Sequence, residues 1–353
     1  MRLVIATPLY PPEPGGPATY AKLLEEGLPK QGVETAVVKF ADVRKWPKLL
    51  RHFLYGRAVA RALKDADAVL ALDPVSVGYP ALDAAKKTGK PFFVKVVGDY
   101  AWEQGVQRFG VSASLDEFVQ IPTEKLPLPV QMLRKVETHV ARHATKVIVP
   151  SEYLKGIVAA WGIHDERIEV IHNSVALEEG GALPSAVETA ERPRVVSVGR
   201  LVPWKNMRGV IDAVAKTGKG TLIIVGDGPE QEALKKHAGK TLPRTVFTGA
   251  LSHKDVLAVV KDADVFVLNS TYEGLSHLLI EALSLGTPVV ATRAGGNTEL
   301  VGNRGTLVEV GDTDALSRAI ARAAGAGRAD SRQFAAQFSP DTMLRATAAL
   351  IRA

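Results

Sequence analysis

Twelve short runs of aliphatic and β-branched residues, spaced by stretches of helical period, leave this chain few folds to adopt. The first six occupy residues 3–6, 35–40, 68–72, 92–97, 146–149 and 168–171. The second six occupy 195–198, 222–225, 245–248, 265–268, 289–291 and 306–308. A short apolar run bounded by polar residues reads as a strand buried on both faces, and strands alternating with helices build parallel sheets. At 353 residues the chain exceeds one ordinary domain. Residues 178–193 are polar, rich in breakers and without periodicity, so they read as a linker. The expected organisation is an α/β domain over 1–185 and a second over 186–338. A last helix over 339–353 has Ser339 as its N-cap and Pro340 in its first turn. An internal echo suggests duplication: Lys64-Asp-Ala-Asp-Ala-Val-Leu-Ala-Leu72 parallels Lys261-Asp-Ala-Asp-Val-Phe-Val-Leu268.

The chemistry converges on the loops that leave two strands of the second half. After the run 265–268 comes Asn269-Ser-Thr-Tyr-Glu-Gly-Leu-Ser-His, then a helical pattern stopped by Gly286-Thr-Pro288. Glu273 therefore lies in a loop at a strand's carboxyl end, where parallel sheets bind ligands, and Glu281 lies about two turns into the helix. The helix start near Gly274, Leu275 and Ser276 favours an anion. After the run 195–198, Gly199 is followed at once by Arg200, and Lys205 opens the next helix. Two cations and two carboxylates around an anion site suit a phosphate flanked by hydroxyls, as in a nucleotide-sugar.

Glu273-Gly-Leu-Ser-His-Leu-Leu-Ile-Glu281 resembles the E-x7-E signature of retaining glycosyltransferases of the GT-B fold, family 4 (group 1). Gly199-Arg-Leu-Val-Pro-Trp-Lys205 resembles that family's G-R-L-x-x-x-K motif, and Gly226-Asp-Gly-Pro229 its G-x-G-P turn. The resemblance implies two Rossmann-like domains facing across a cleft, with the C-terminal helix crossing back to the first. It implies that Arg200 and Lys205 hold the donor diphosphate, Glu273 the donor sugar hydroxyls and Glu281 the ribose hydroxyls. Backbone near Leu251 would meet the base. Transfer would retain the anomeric configuration by front-face attack, without a metal or other cofactor.

In the first half, residues 8–20 hold five prolines, and Gly15 and Gly16 allow close approach of backbone to a ligand. This stretch resembles the family's G-G loop; a plain proline-stiffened turn is the alternative. Gly98 and Asp99 lie at the carboxyl end of the strand 92–97, where the family often carries a His or Asp near the reacting carbon. With no His here, the resemblance implies Asp99 as the polar group on the acceptor side; the cap of a turn is the alternative. Residues 104–130 read as an acceptor-facing loop. Both Asp-x-Asp echoes precede their strands, at the edge opposite the ligands, and read as turns rather than metal sites.

Composition narrows the setting. The chain has no cysteine, which excludes disulfides and thiolate chemistry, and no apolar run of the ~18 residues a membrane span requires. The start reads as a strand rather than a signal peptide, so a cytoplasmic enzyme is expected. Net charge is +6, and residues 42–64 alone hold seven Lys or Arg against Asp42, which equals that excess. One basic patch argues against a general nucleic-acid binder. Trp46, Leu49, Leu50 and Phe53 fall on one helical face, with Lys48 and Arg51 opposite. Either the apolar face packs inward and the cations meet water, or the cations also meet an anionic membrane carrying a lipid-linked acceptor. The residues establish neither donor base, sugar nor acceptor. A sugar-nucleotide epimerase and a non-catalytic sugar-nucleotide binder remain alternatives.

Overall fold

The computed structural model describes residues 1–13 and 15–353, with the side chains of all but Lys48 and Leu49. Pro14, one of the five loop prolines, lies outside the described residues. The chain divides into two compact units, Met1–His172 with Pro340–Ala353, and Asn173–Ser339.

In the first unit, β1 (Arg2–Thr7), β2 (Glu34–Lys39), β3 (Ala68–Ala71), β4 (Phe92–Lys95), β5 (Lys146–Val149) and β6 (Ile168–Val170) form one sheet in the order β2-β1-β3-β4-β5-β6. The second unit repeats the plan. Its strands β7 (Arg194–Val198), β8 (Thr221–Val225), β9 (Thr245–Gly249), β10 (Val265–Leu268), β11 (Val289–Thr292) and β12 (Thr306–Val308) lie in the order β12-β11-β10-β7-β8-β9. Every pairing is parallel. The apolar runs of the inner strands are buried because helices cover both faces of such a sheet, while the edge strands β2, β6, β9 and β12 are only partly covered.

The order of each sheet reverses once, between β1 and β3 in the first and between β7 and β10 in the second. Loops leaving the two strands at a reversal diverge and open a crevice at the carboxyl edge. Both Asp-x-Asp echoes lie at the opposite edge. Asp67 accepts from the N–H of Arg2 at 2.8 Å, and Asp264 from that of Arg194 at 2.6 Å.

The closing helix Pro340–Arg352 belongs to the first unit. Met343, Leu344, Ala348 and Ile351 join Leu3, Ile5, Ala21 and Leu24 in one core cluster. Gly27 permits this contact, since a Cβ there would sit 2.3 Å from a Leu344 methyl.

Three local expectations are corrected. Residues 173–185, expected with the first domain, belong to the second unit, where the Ala182 N–H reaches Asp255 Oδ1 at 2.8 Å. The expected loop 104–130 contains the end of a helix Tyr100–Arg108, a short helix Leu115–Phe118 closed by a Ser114–Glu117 capping box, and the start of a helix Leu128–His143. The stretch holds only five residues of the first helix, the four of the second and three of the last, too few in each to show an apolar period.

The third correction concerns the helix Lys48–Ala62. Its inner face is made by Tyr55 and Val59, wholly buried, continuing to Leu63. His52 and Tyr55 set their rings 5.2 and 5.3 Å from that of Phe40. Arg51, expected in water, stacks 5.6 Å over Phe40. Trp46, Leu50 and Phe53, expected inside, are exposed. Of the expected stripe, Leu50 and Phe53 share a helical face that turns outward, Trp46 precedes the helix, and the side chain of Leu49 lies outside those described.

Candidate functional site

The reversal between β7 and β10 brings together the residues singled out in the second half. The strand β7 ends at Val198, and its loop carries Arg200 and a short turn Pro203–Lys205 before the helix Met207–Thr217. Gly226 presses on this loop so closely that a Cβ would meet the Gly199 carbonyl oxygen at 2.0 Å. The loop after β10 runs from Asn269 to Ser276, whose hydroxyl accepts from the Leu279 N–H at 3.3 Å and caps the helix His277–Ser284.

Hydrogen bonds lace the two loops. The Thr271 N–H donates to the Trp204 carbonyl at 2.8 Å, and Asn269 Nδ2 to the Asn206 carbonyl at 3.2 Å. At the centre, Lys205 Nζ lies 2.5 Å from Glu273 Oε1, which also accepts from the Ser270 hydroxyl at 2.6 Å. Only 17% of the lysine side chain and 12% of the glutamate remain exposed. Pairs this shielded interact far more strongly than surface pairs. Arg200 is exposed beside this pair in sequence, its cation turned out of the core.

Glu281 is deeply buried, 5% exposed. Its Oε1 is paired with His253 Nε2 at 2.9 Å, while Oε2 is buried with no hydrogen bond among the described residues. Burial raises the Glu281 pKa, against the pull of His253. A buried carboxylate oxygen without a donor costs about 1–3 kcal/mol, a debt that a ligand hydroxyl removes. His253 was not singled out in the sequence; it opens the helix His253–Asp262, capped by Ser252, directly after the half-buried Leu251. Gly274 and Leu275 form the turn between the carboxylates, and the Gly296 N–H donates to the Glu273 carbonyl at 2.9 Å. A Cβ on Gly296 would meet the Gly274 carbonyl at 2.3 Å.

Two family models cover most of the chain: Glycosyltransferase Family 4 over residues 14–179 and Glycosyl transferases group 1 over 184–333. The chain belongs to the family 4 glycosyltransferases. It is 30% identical over 210 residues to the 2-deoxystreptamine glucosyltransferase of Streptomyces kanamyceticus, an alignment covering 54% of each chain. Over 135 residues it is 36% identical to a lipopolysaccharide core biosynthesis glycosyltransferase of Rhizobium meliloti, covering 37% of this chain and 39% of the relative. The chain thus spans about half or less of the length of these curated relatives. Anabaena HepE, solved with UDP and glucose, superposes with a TM-score of 0.74 at 20% identity, covering 100% of this chain and 99% of HepE. The fold is GT-B: two parallel-sheet α/β units.

In the first unit of this family 4 chain, Gly15 has a φ of 131° and precedes the helix Gly16–Gly27, with Pro17 in its first turn. Gly15 and Gly16 are exposed, and among the described residues none comes within 4 Å of a Cβ built on Gly16. Asp99, expected on the acceptor side, is wholly buried instead. Its Oδ1 accepts from the Trp102 N–H at 2.7 Å, capping the helix Tyr100–Arg108, and Oδ2 accepts from Trp161 Nε1 at 3.2 Å. It shares the interior with Glu137, whose Oε2 accepts from the Tyr100 and Ala101 N–H groups at 3.1 and 3.3 Å. Burial raises both carboxyls, Glu137 well above the usual range. Asp99 therefore acts as the cap that its place at the strand's end also allowed. One turn on, half-buried Glu103 is pushed up to about 7 by burial and by the charges of Asp99 and Asp73. No sequence spacing marks Glu103, because its shift comes chiefly from burial, which the folded unit decides.

Proposed function

We propose that this chain is a retaining, metal-independent hexosyltransferase that moves a sugar from a nucleoside diphosphate sugar to an acceptor hydroxyl. The observation that carries the reading is the cluster at the second sheet's reversal: Arg200, Lys205 and Glu273, with Glu281 Oε2 buried and without a donor.

Cleavage of the sugar–phosphate bond leaves electron deficiency on the anomeric carbon and negative charge on the departing diphosphate. Arg200, Lys205 and the first-turn N–H groups of the helix His277–Ser284 offset that charge as it develops. This cationic environment replaces a metal in the proposal. Glu273, already aligned by Lys205 and Ser270, accepts from donor-sugar hydroxyls. Glu281 Oε2 accepts from the ribose, while His253 holds the other oxygen. Retention follows from attack by the acceptor oxygen on the face the diphosphate leaves, its proton passing to a phosphate oxygen. Gly15 and Gly16, on the first unit, offer exposed backbone to the donor's phosphates and sugar.

The glucosyltransferase relative and the UDP and glucose bound to HepE support a hexose donor, and the lipopolysaccharide relative supports a lipid-linked or envelope-glycan acceptor. With no cysteine, the chain suits the reducing cytoplasm, with the cations of residues 44–64 turned to the inner membrane face.

Thermal stabilisation by a panel of UDP, GDP and ADP sugars identifies the donor. Ligand at about 100 times its Kd adds about 2.7 kcal/mol. The product's anomeric configuration is then read by proton NMR, with and without EDTA. Turnover that survives EDTA and gives the donor's own anomer is expected. Inversion refutes the front-face reading, loss restored by Mg²⁺ or Mn²⁺ refutes metal independence, and binding without transfer or hydrolysis indicates a non-catalytic binder.

A further inference from the structure

We propose that the segment entering the helix Lys48–Ala62 is a wedge that inserts into the headgroup region of an anionic bilayer. Trp46, Leu50 and Phe53 are 44%, 41% and 60% exposed. Leu50 and Phe53 lie on one stripe of the helix, which continues as Arg57 and Arg61; Trp46 stands on the segment just before the helix and Lys64 in the turn just after it, and all are exposed. The inner stripe is already occupied by Tyr55, Val59 and Leu63, so the helix has no second way to bury the three. Each aromatic ring of the tip has a cation beside it: Lys45 Nζ is 6.0 Å from the Trp46 ring and the Arg57 guanidinium 5.9 Å from the Phe53 ring.

A large apolar group next to a cation suits the boundary between acyl chains and anionic headgroups, where both are accommodated at once. Charge selects this occupant over a second copy of the chain. In a two-fold dimer the patch would face itself, and residues 42–64 carry seven cations against one acid. Anionic lipid complements that charge and accepts the apolar tip. The cations alone would only hold the protein near the surface; the exposed Trp46, Leu50 and Phe53 anchor it within the interface. The inference deepens the acceptor proposal, since a docked first unit can draw a lipid-linked acceptor from the membrane, but docking itself needs no transfer chemistry.

The test is sedimentation of the full chain with phosphatidylcholine vesicles and with vesicles rich in phosphatidylglycerol. Two triple variants are compared, Trp46→Ser/Leu50→Ser/Phe53→Ser and Lys45→Glu/Arg57→Glu/Arg61→Glu. All six side chains are exposed, so both variants should fold. Unchanged thermal stabilisation by the donor found in the panel checks this, and it separates failure of docking from failure of the transferase reading. The wild type should bind the anionic vesicles. The charge variant should bind about a hundredfold more weakly, at roughly fivefold per cation. The apolar variant should lose at least tenfold, including at the salt concentration where the wild type still binds. Trp46 emission should shift to the blue on binding, a shift missing in Trp46→Phe. Absence of wild-type binding at low salt overturns the proposal. So does an apolar variant that binds as tightly as the wild type, or self-association without vesicle binding that the apolar variant abolishes.

Discussion

Replacing Lys205 by Met should weaken nucleoside diphosphate binding by about a hundredfold to a thousandfold, and Glu273→Gln should restore much of that loss. The reasoning starts from the 2.5 Å contact between Lys205 Nζ and Glu273 Oε1 in a largely shielded setting. A phosphate oxygen bonded to Nζ gains about 1.5–3 kcal/mol from a charge-assisted hydrogen bond, which Met removes. Met also leaves the Glu273 charge unopposed, roughly 5 Å from that phosphate oxygen when the two contacts lie in line, and an effective dielectric near 20 makes this repulsion about 3 kcal/mol. Allowing for screening, the combined loss is about 3–4 kcal/mol, or two to three decades in Kd. In Glu273→Gln the repulsion is gone and the lysine is free. A bare diphosphate should then bind a few-fold more tightly, while the intact nucleotide-sugar binds more weakly for want of the carboxylate. Calorimetry on the wild type, both single variants and the double variant yields a coupling free energy, expected near 2–3 kcal/mol. If the two substitutions add to within about 0.5 kcal/mol, the lysine and glutamate do not share the phosphate site, and the electrostatic reading of the cluster fails.

Other consequences can be checked independently. Arg200→Ala should weaken diphosphate binding about tenfold to a hundredfold, because one charge-assisted contact is lost and no buried carboxylate is stranded. Lys95 is buried with Nζ unpaired, 4.2 Å over the Tyr20 ring, and burial lowers its pKa to about 7. A depressed lysine contributes stability that is full above its unfolded value of 10.5 and is lost as pH falls towards 7. Lys95→Met should therefore stabilise the fold by about 2–4 kcal/mol at pH 7, an advantage that halves near pH 9; a gap constant with pH in calorimetric scans would refute the burial. Glu103 has the opposite sign, since its folded value near 7 lies above the unfolded 4.5. Stability from its protonated form is full below 4.5 and lost as pH rises through 7, so Glu103→Gln should raise Tm at pH 8 and leave it unchanged at pH 4.

The chain's own pattern determined the two parallel sheets and the positions of Arg200, Lys205 and Glu273 in loops that leave strand ends, with Glu281 inside the helix that follows. A parallel strand buried on both faces must be an unbroken apolar run, and ligands gather at the edge where such runs end, so this information is local. The ion pair between Lys205 and Glu273, and the grip of His253 on Glu281, join residues far apart in the chain. They exist because β7 and β10 became neighbours at the reversal of the sheet. Asp99 was legible as a residue ending a strand, but its burial depended on Trp161 and Glu137 arriving from later elements. The shared face of Leu50 and Phe53 was legible; its direction was not, nor that the helix starts after Trp46. Helical periodicity states which residues share a face, and only the packing of Phe40 against His52 and Tyr55 decides which face turns to water.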